Sequence, residues 1–315
     1  MMTKVLLTFI ATIVLYYTYK LLFGKCNRFE ICRITLLMKK NIMIIVAFCL
    51  ILPLKAQLFN ANVEIFDTAN LVVMYELSLR EDTTHLNYVK NVNQILLIGE
   101  NGINSYQDYN HYRYYRDMRR KVKDGTINEW LMGGLNVADY ISNYQFEIYK
   151  NHHNKTISTN DHIFQMGLYE YEETFNSFNW QITSEIDTIH NYVCQKAICD
   201  FGGRTWEAWF TMEIPISDGP YKFCGLPGLI LNIADTQNHY SFKFLSIEKP
   251  SEIINIERTD KDRTKTTKDN FFKLQDKHSN SFSHGVRNMT SNDKAVQRAI
   301  EYEMSKNNPI EIIDN

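Results

Sequence analysis

Apolar and polar positions alternate along most of the chain after residue 57, and a period of two marks strands with one face in a core. Leu71, Val73, Tyr75, Leu77 and Leu79 fall on one face of such a strand. Ile95–Gly99 and Ile103–Tyr106 flank Glu100-Asn101-Gly102, and Asn-Gly between apolar runs predicts a hairpin. Phe146–Tyr149, Ile163–Glu170 and Trp180–Ile189 read as further strands. The clearest hairpin joins Tyr192–Phe201 to Arg204–Ile214 through Gly202-Gly203. Its two-residue turn sets the register, with Phe201 opposite Arg204, Cys199 opposite Trp206 and Ala197 opposite Ala208. The predicted core face carries Val193, Ala197, Cys199, Phe201, Trp206, Ala208, Phe210 and Met212. The other face sets Lys196 against Trp209, Ile198 against Glu207 and Cys194 against Thr211. Leu229-Leu231-Ile233, a turn near Asp235–Asn238 and Tyr240-Phe242-Phe244 make another hairpin.

The period changes to that of a helix in two places. Tyr109–Lys123 holds Arg113, Arg116, Arg119 and Arg120 among four tyrosines, the pattern of a solvated helix docked through its rings. Asp293–Ser305 opens on an Asn292/Asp293 cap, presents Val296, Ala299, Ile300 and Met304, and stops at Asn307-Asn308-Pro309. Glu257–Asn270 is rich in Lys, Asp and Thr and reads as a mobile loop. The predicted fold is mainly β with an α+β admixture. It is one domain built on a curved, open antiparallel sheet or half-barrel, with a few packed helices across its concave face. Half-barrels of the lipoprotein-carrier kind have that shape, which is an analogy of fold only.

Between the last two hairpins lies Gly225-Leu226-Pro227-Gly228-Leu229-Ile230, preceded by Ile214-Pro215 and Gly219-Pro220-Tyr221-Lys222-Phe223. Pro lacks an N–H and Gly reaches positive φ, so Leu226-Pro227-Gly228-Leu229 fits a type II turn with Gly228 at positive φ. The hexapeptide resembles the signature of the GLPGLI family of Bacteroidetes-type envelope proteins. Further positions match that family in order: Tyr192-x-Cys194-Gln195-Lys196-Ala197, Gly203-Arg204, Ala208-Trp209-Phe210 and Asn308-Pro309-Ile310-Glu311. Cys224 departs from the pattern. The resemblance implies an exported protein and no particular activity.

The N-terminus supports export. Met38-Lys39-Lys40, the apolar run Ile42–Leu52 and Leu54-Lys55-Ala56 read as a signal peptide over 38–56, cut before Gln57. Its apolar run is short for a span, which needs about 20 residues. Residues 1–37 read as a spurious upstream extension, with a membrane anchor as the alternative. The domain is then 57–315, exported to the periplasm or cell envelope and not membrane-spanning. The chain carries 34 basic and 36 acidic side chains, and residues 1–56 hold eight of the former and one of the latter. The exported part is therefore acidic, which excludes nucleic acid as a partner. Of 6 cysteines, Cys194, Cys199 and Cys224 remain after the cut, an odd set that makes no disulfide framework. Five residues apart on one strand, Cys194 and Cys199 stand too far apart to bridge.

The chemistry of common enzymes is missing: no G-x-S-x-G, Walker A or H-E-x-x-H motif occurs. His152 and His153 are adjacent on a strand and point to opposite faces. Asp218 and Asp235 sit in turns, where Asp caps its own backbone. No catalytic residue, metal ligand or cofactor site is assigned. Candidate binding residues are Arg204, Trp206, Trp209 and Phe210; Trp209 faces away from the hairpin core and wants a partner. The expected function is that of a non-enzymatic envelope protein of undefined molecular role, with its partner left open among an envelope protein, a peptide and a lipid. The alternatives are a carrier of an apolar or peptide ligand in the sheet's concavity, and an enzyme.

Overall fold

The computed structural model describes residues 63–136, 140, 146–163, 166–259, 262–287 and 307–312. The signal-peptide and extension boundaries at 1–56 and the helix expected over 293–305 lie outside the described residues. The elements follow as β1 (Val63–Leu79), β2 (Lys90–Gly99), β3 (Ile103–Asp108), α1 (Tyr109–Lys123), β4 (Glu147–Asn151), β5 (Thr156–Ile163), β6 (Gly167–Thr174), β7 (Gln181–Ile189), β8 (Tyr192–Phe201) and β9 (Arg204–Thr211). After the signature come β10 (Leu229–Asp235), β11 (Tyr240–Glu248), β12 (Asn255–Thr259), β13 (Thr264–Lys265) and α2 (Lys268–Arg287). The strands form one open sheet in the order β13-β6-β5-β4-β3-β2-β1-β11-β10-β9-β8-β7, with β12 pairing the start of β1. Every pairing is antiparallel except the short contact of β13 with β6. The open antiparallel sheet with a few helices is the fold class that alternation predicts.

Register follows the turn chemistry. Phe201 faces Arg204, Cys199 faces Trp206 and Ala197 faces Ala208, with both turn glycines at positive φ. The β2–β3 turn puts Gly102 at φ 83°, as a tight hairpin requires. β1 is long enough to pair with three strands: β12 at its start, then β2 on one side and β11 on the other. Tyr192-to-Phe201 alternation breaks near its start, however. Val193 is 56 % and Met212 62 % exposed, while Cys194 and Thr211 are fully buried. The register of β7 against β8 shifts between Ile182 and Ile186, and Cys194 joins the same core as Ala197 and Cys199.

The two faces of the sheet are covered differently. On one, Val73, Tyr75, Leu77, Leu79, Leu96, Ile148, Trp206, Ala208, Phe210 and Phe242 join Tyr221, Phe223 and Leu226 of the signature loop in one core. α2 packs on this face too, through Phe271 against Tyr169 and Tyr171, and Tyr171 is in line with Ile148 through Thr159. On the other face Val72, Ile95, Leu97 and Tyr149 meet Tyr112 of α1 and Ile256 of β12.

Two expectations are corrected. Ile163–Glu170 is not one strand: β5 ends at Ile163 and β6 starts at Gly167, whose φ of 106° turns the chain. Glu257–Asn270 is not a loop, because β12 and β13 gain ladder partners in β1 and β6 and α2 begins at Lys268. Ile256, fully buried, anchors β12. Among the described residues no helix is long and apolar enough to cross a membrane.

Candidate functional site: the signature corner and its buried ion pairs

The signature stretch leaves β9, crosses the core face and returns as β10. Its backbone is tied down by short local bonds, from Ile216 N to Ile214 O (2.7 Å), Asp218 N to Ile216 O (2.8 Å) and Leu229 N to Ile214 O (3.0 Å). Phe223 is the apolar centre, with ring centroids 4.7 Å from Trp206 and 5.6 Å from Phe178 and Phe201. The type II geometry at Gly228 is not present. Gly225, not Gly228, holds positive φ, at 96°. Gly228 is demanded by space: a Cβ there would lie 2.0 Å from the Thr211 carbonyl oxygen. Pro227 sits outside, exposed, between the buried Leu226 and Gly228.

Three charged side chains hold this corner, each buried and each compensated. Asp218 has no exposed surface. Besides capping Gly219 N at 2.6 Å, as its turn position predicts, its carboxylate accepts from Lys150 Nζ (2.5 Å), Asn104 Nδ2 (2.5 Å) and His152 Nε2 (3.2 Å). Lys150, also fully buried, donates further to the carbonyls of Gly219 (2.7 Å) and Phe223 (3.2 Å). Burial pushes the Asp218 carboxyl up, and Lys150 with His152 outweighs it, so the group ends below its ordinary value.

The second charge is Lys222, in the middle of the apolar run. It pairs with Glu173 (2.5 Å) and Glu311 (2.6 Å) and donates to Tyr171 Oη (3.1 Å). Burial lowers its pKa, but Glu311, Tyr171 and Glu173 more than reverse this and hold the ammonium charged. Glu311 takes a second cation, Lys268 of α2 (2.6 Å), and the Tyr221 hydroxyl (2.5 Å). Its carboxyl, raised by burial and lowered further by the two lysines, sits at about 2.

The third is Arg204. Its guanidinium pairs with Asp235 (3.0 Å) and donates to Asn308 Oδ1 (2.6 Å) and the carbonyls of Pro309 (2.7 Å) and Ile310 (3.1 Å). Tyr240 Oη donates to Asn308 O (2.5 Å), and Ile312 N to Gly202 O (2.8 Å). Residues 307–312 are therefore clasped onto the β8–β9 turn and the signature. A Cβ on Gly202 would meet Glu311 Cγ at 2.8 Å, and one on Gly203 the Ile312 carbonyl oxygen at 2.7 Å.

These contacts give the candidate residues their positions. Arg204 is a structural clamp. Trp206 and Phe210 have no exposed surface, so a ligand reaching them would first displace Phe223 and its neighbours. Trp209 is half-buried under Lys196, whose ammonium stands 5.9 Å from the ring and pairs with Glu207 (3.2 Å) and Glu185 (3.4 Å). His152 turns in to Asp218 and His153 turns to Asn101 O; both lie in the β4–β5 turn beyond Asn151 and not on a strand, which corrects the expected placement. Among the described residues no group of three or more His, Cys, Asp or Glu is placed to hold a metal. Sequence reasoning missed Lys150, Glu173 and Lys268. Lys150 did leave a signal: it shares a strand face with the fully buried Ile148.

The thiols are inert by the same physics. Cys194, Cys199 and Cys224 are free and buried, and burial pushes Cys199 and Cys224 up to about 12. Thiol titration of the exported form is expected to find no fast-reacting group in the native protein and all three after denaturation. A rapidly labelled native thiol would contradict the packing.

Residues 203–232, from the β8–β9 turn through the signature into β10, match a family model described as a protein of unknown function (Porph_ging). No match is found among curated proteins. Among solved structures the chain is similar to PNGF-II in two crystal forms. In space group P21 the TM-score is 0.44 at 13% identity, and in C2 it is 0.43 at 14%. Each alignment covers 68% of this chain and 34% of the PNGF-II chain. The chain thus spans about a third of the length of the structures it matches, and at this TM-score the likeness fixes neither activity nor ligand.

Proposed function

We propose that this chain is an exported, non-catalytic cell-envelope protein of the GLPGLI family, with the signature serving as an architectural corner. The observation that carries this reading is saturation. Asp218, Lys150, Lys222, Glu311 and Arg204 are all buried and all committed to intramolecular partners. An active site keeps an acid, base or nucleophile free to meet substrate, and the signature has none to spare. The matched stretch 203–232 covers the signature, which supports the family reading. A carrier whose ligand lies against Trp206 and Phe210 is disfavoured, because signature side chains already fill that space.

Export is supported by the basic, apolar and small-residue pattern over 38–56. Fractionation of the native host followed by N-terminal sequencing is the test. The protein is expected in the envelope or medium, beginning at Gln57. A cytoplasmic product that retains residues 1–37 would overturn both the signal-peptide reading and the localisation.

A further inference from the structure

α1 stands off the second face of the sheet and leaves a cleft beside the segment that leads into β12. The outer part has a volume of about 200 Å³ and is lined by Arg116, Arg119, Arg120, Glu252 and Ile253. It shares Tyr112, Arg119, Asn255 and Glu257 with an inner chamber of about 20 Å³, which reaches Ser105 and Gln107 on β3. The cleft is far more polar than an ordinary apolar ligand pocket.

Two observations single it out. The first is an arginine at the mouth without a carboxylate of its own. Arg116, Arg119 and Arg120 face Glu252 and Glu257, and Asp117 pairs with Arg116 beside them. Arg119 is committed to Glu257. Arg116 lies over the Tyr112 ring and pairs with its neighbour Asp117 at 3.3 Å. Arg120 is exposed, and among the described residues no carboxylate pairs with it. Arg116 and Arg120 are one turn apart on the same helix face, where like charges repel. The second observation is Ser105 at the floor. It is 3 % exposed, and no protein group hydrogen-bonds its hydroxyl. A buried hydroxyl without a partner destabilises a fold, and the chamber of about 20 Å³ beside Ser105 has room for one water or one ligand hydroxyl to supply it.

We propose that this cleft binds a small polyhydroxylated monocarboxylate. The carboxylate lies between Arg116 and Arg120, which present the planar fork that suits it. The hydroxyls lie along Asn255 in the outer part, and the terminal one enters the inner chamber, which has room for a single such group, at Gln107 and Ser105.

Calorimetry with three matched probes tests this on the exported form: gluconate, sorbitol with the hydroxyls but no charge, and acetate with the charge but no hydroxyl chain. Gluconate is expected to bind, and sorbitol and acetate to bind about tenfold more weakly or less. Arg120→Gln, at an exposed position, should cut gluconate affinity about tenfold with no change in melting temperature. Ser105→Ala should leave the melting temperature equal or higher, because it removes an unpaired buried hydroxyl, and still weaken gluconate while leaving acetate unchanged. A serine of purely structural value would show the reverse, a lower melting temperature and unaltered binding. The proposal is overturned by acetate or inorganic phosphate binding as tightly as gluconate, by gluconate binding that ignores Arg120→Gln, or by no gluconate binding at about 10 mM.

Discussion

Gly228→Ala is expected to destabilise the protein by about 3 kcal/mol or more, the upper end of what overpacking a rigid site costs. The added methyl would stand 2.0 Å from Thr211 O, 2.6 Å from Thr211 C and 3.0 Å from Met212 N. All three are backbone atoms at the end of β9, next to the point where Leu229 N is bonded to Ile214 O, so no flexible side chain can yield. Gly225→Ala separates this cause from backbone strain. Gly225 has φ 96° but meets only Trp180, at 3.8 Å. Its cost should be the left-handed penalty alone, about 1–2 kcal/mol. Pro227→Ala, at an exposed position, should lose about 1 kcal/mol or less, through the unfolded chain. Denaturant melts of the three variants give the ranking. If Gly225→Ala proved the worst of them, close approach at Gly228 would not be what the signature glycine serves.

The ranking also shows where sequence reasoning reaches and where it stops. Gly-Pro chemistry identifies a corner at 225–230, but which glycine turns the chain and which admits a neighbouring strand depends on Thr211, a residue from another element. Turn chemistry gave the β8–β9 register, because Gly202-Gly203 leaves one pairing, while alternation misplaced Val193 and Met212 in the core and ran the second strand three residues past its end at Thr211. Alternation also failed for Glu257–Asn270, where the polar, threonine-rich pattern carries no period and the strands exist because β1 and β6 offer free ladder edges. It failed at Ile163–Glu170 because Gly167, embedded in an apolar run, turns the chain without the usual Asn or Pro. The ion pairs were the least legible part. A lysine between Tyr221 and Phe223 is a visible anomaly, yet Glu311 lies 89 residues away and Asp218 lies 68 from Lys150. Sequence shows that such a charge must be compensated, not by what.

Lys222→Met carries the other large expected effect. It removes the ammonium that serves both Glu173 and Glu311 and leaves two carboxylates buried near one another with Lys268 alone between them. Breaking a buried pair from one side costs about 3–5 kcal/mol, while replacing both partners with matched neutral groups costs far less. Lys222→Met combined with Glu311→Gln should therefore recover part of the single variant's loss. Acid gives an independent reading. The Glu311 carboxyl is depressed in the folded protein from 4.5 to about 2, so its stabilisation is complete above pH 4.5 and disappears as pH falls through about 2. At about 1.4 kcal/mol per pKa unit this is worth about 3 kcal/mol. In Lys222→Met the carboxyl loses its main cation while remaining buried, its folded-state pKa rises, and the acid limb of the stability curve shrinks. The measurement is the denaturant midpoint of both proteins from neutral pH down to about 2. A single variant as stable as wild type, with an unaltered acid limb, would mean that residues 307–312 are not held by this cluster. The clasp would then rest on the contacts of Arg204, Tyr240 and Gly202 alone, and the case for Lys222 as the lock of an architectural corner would fall.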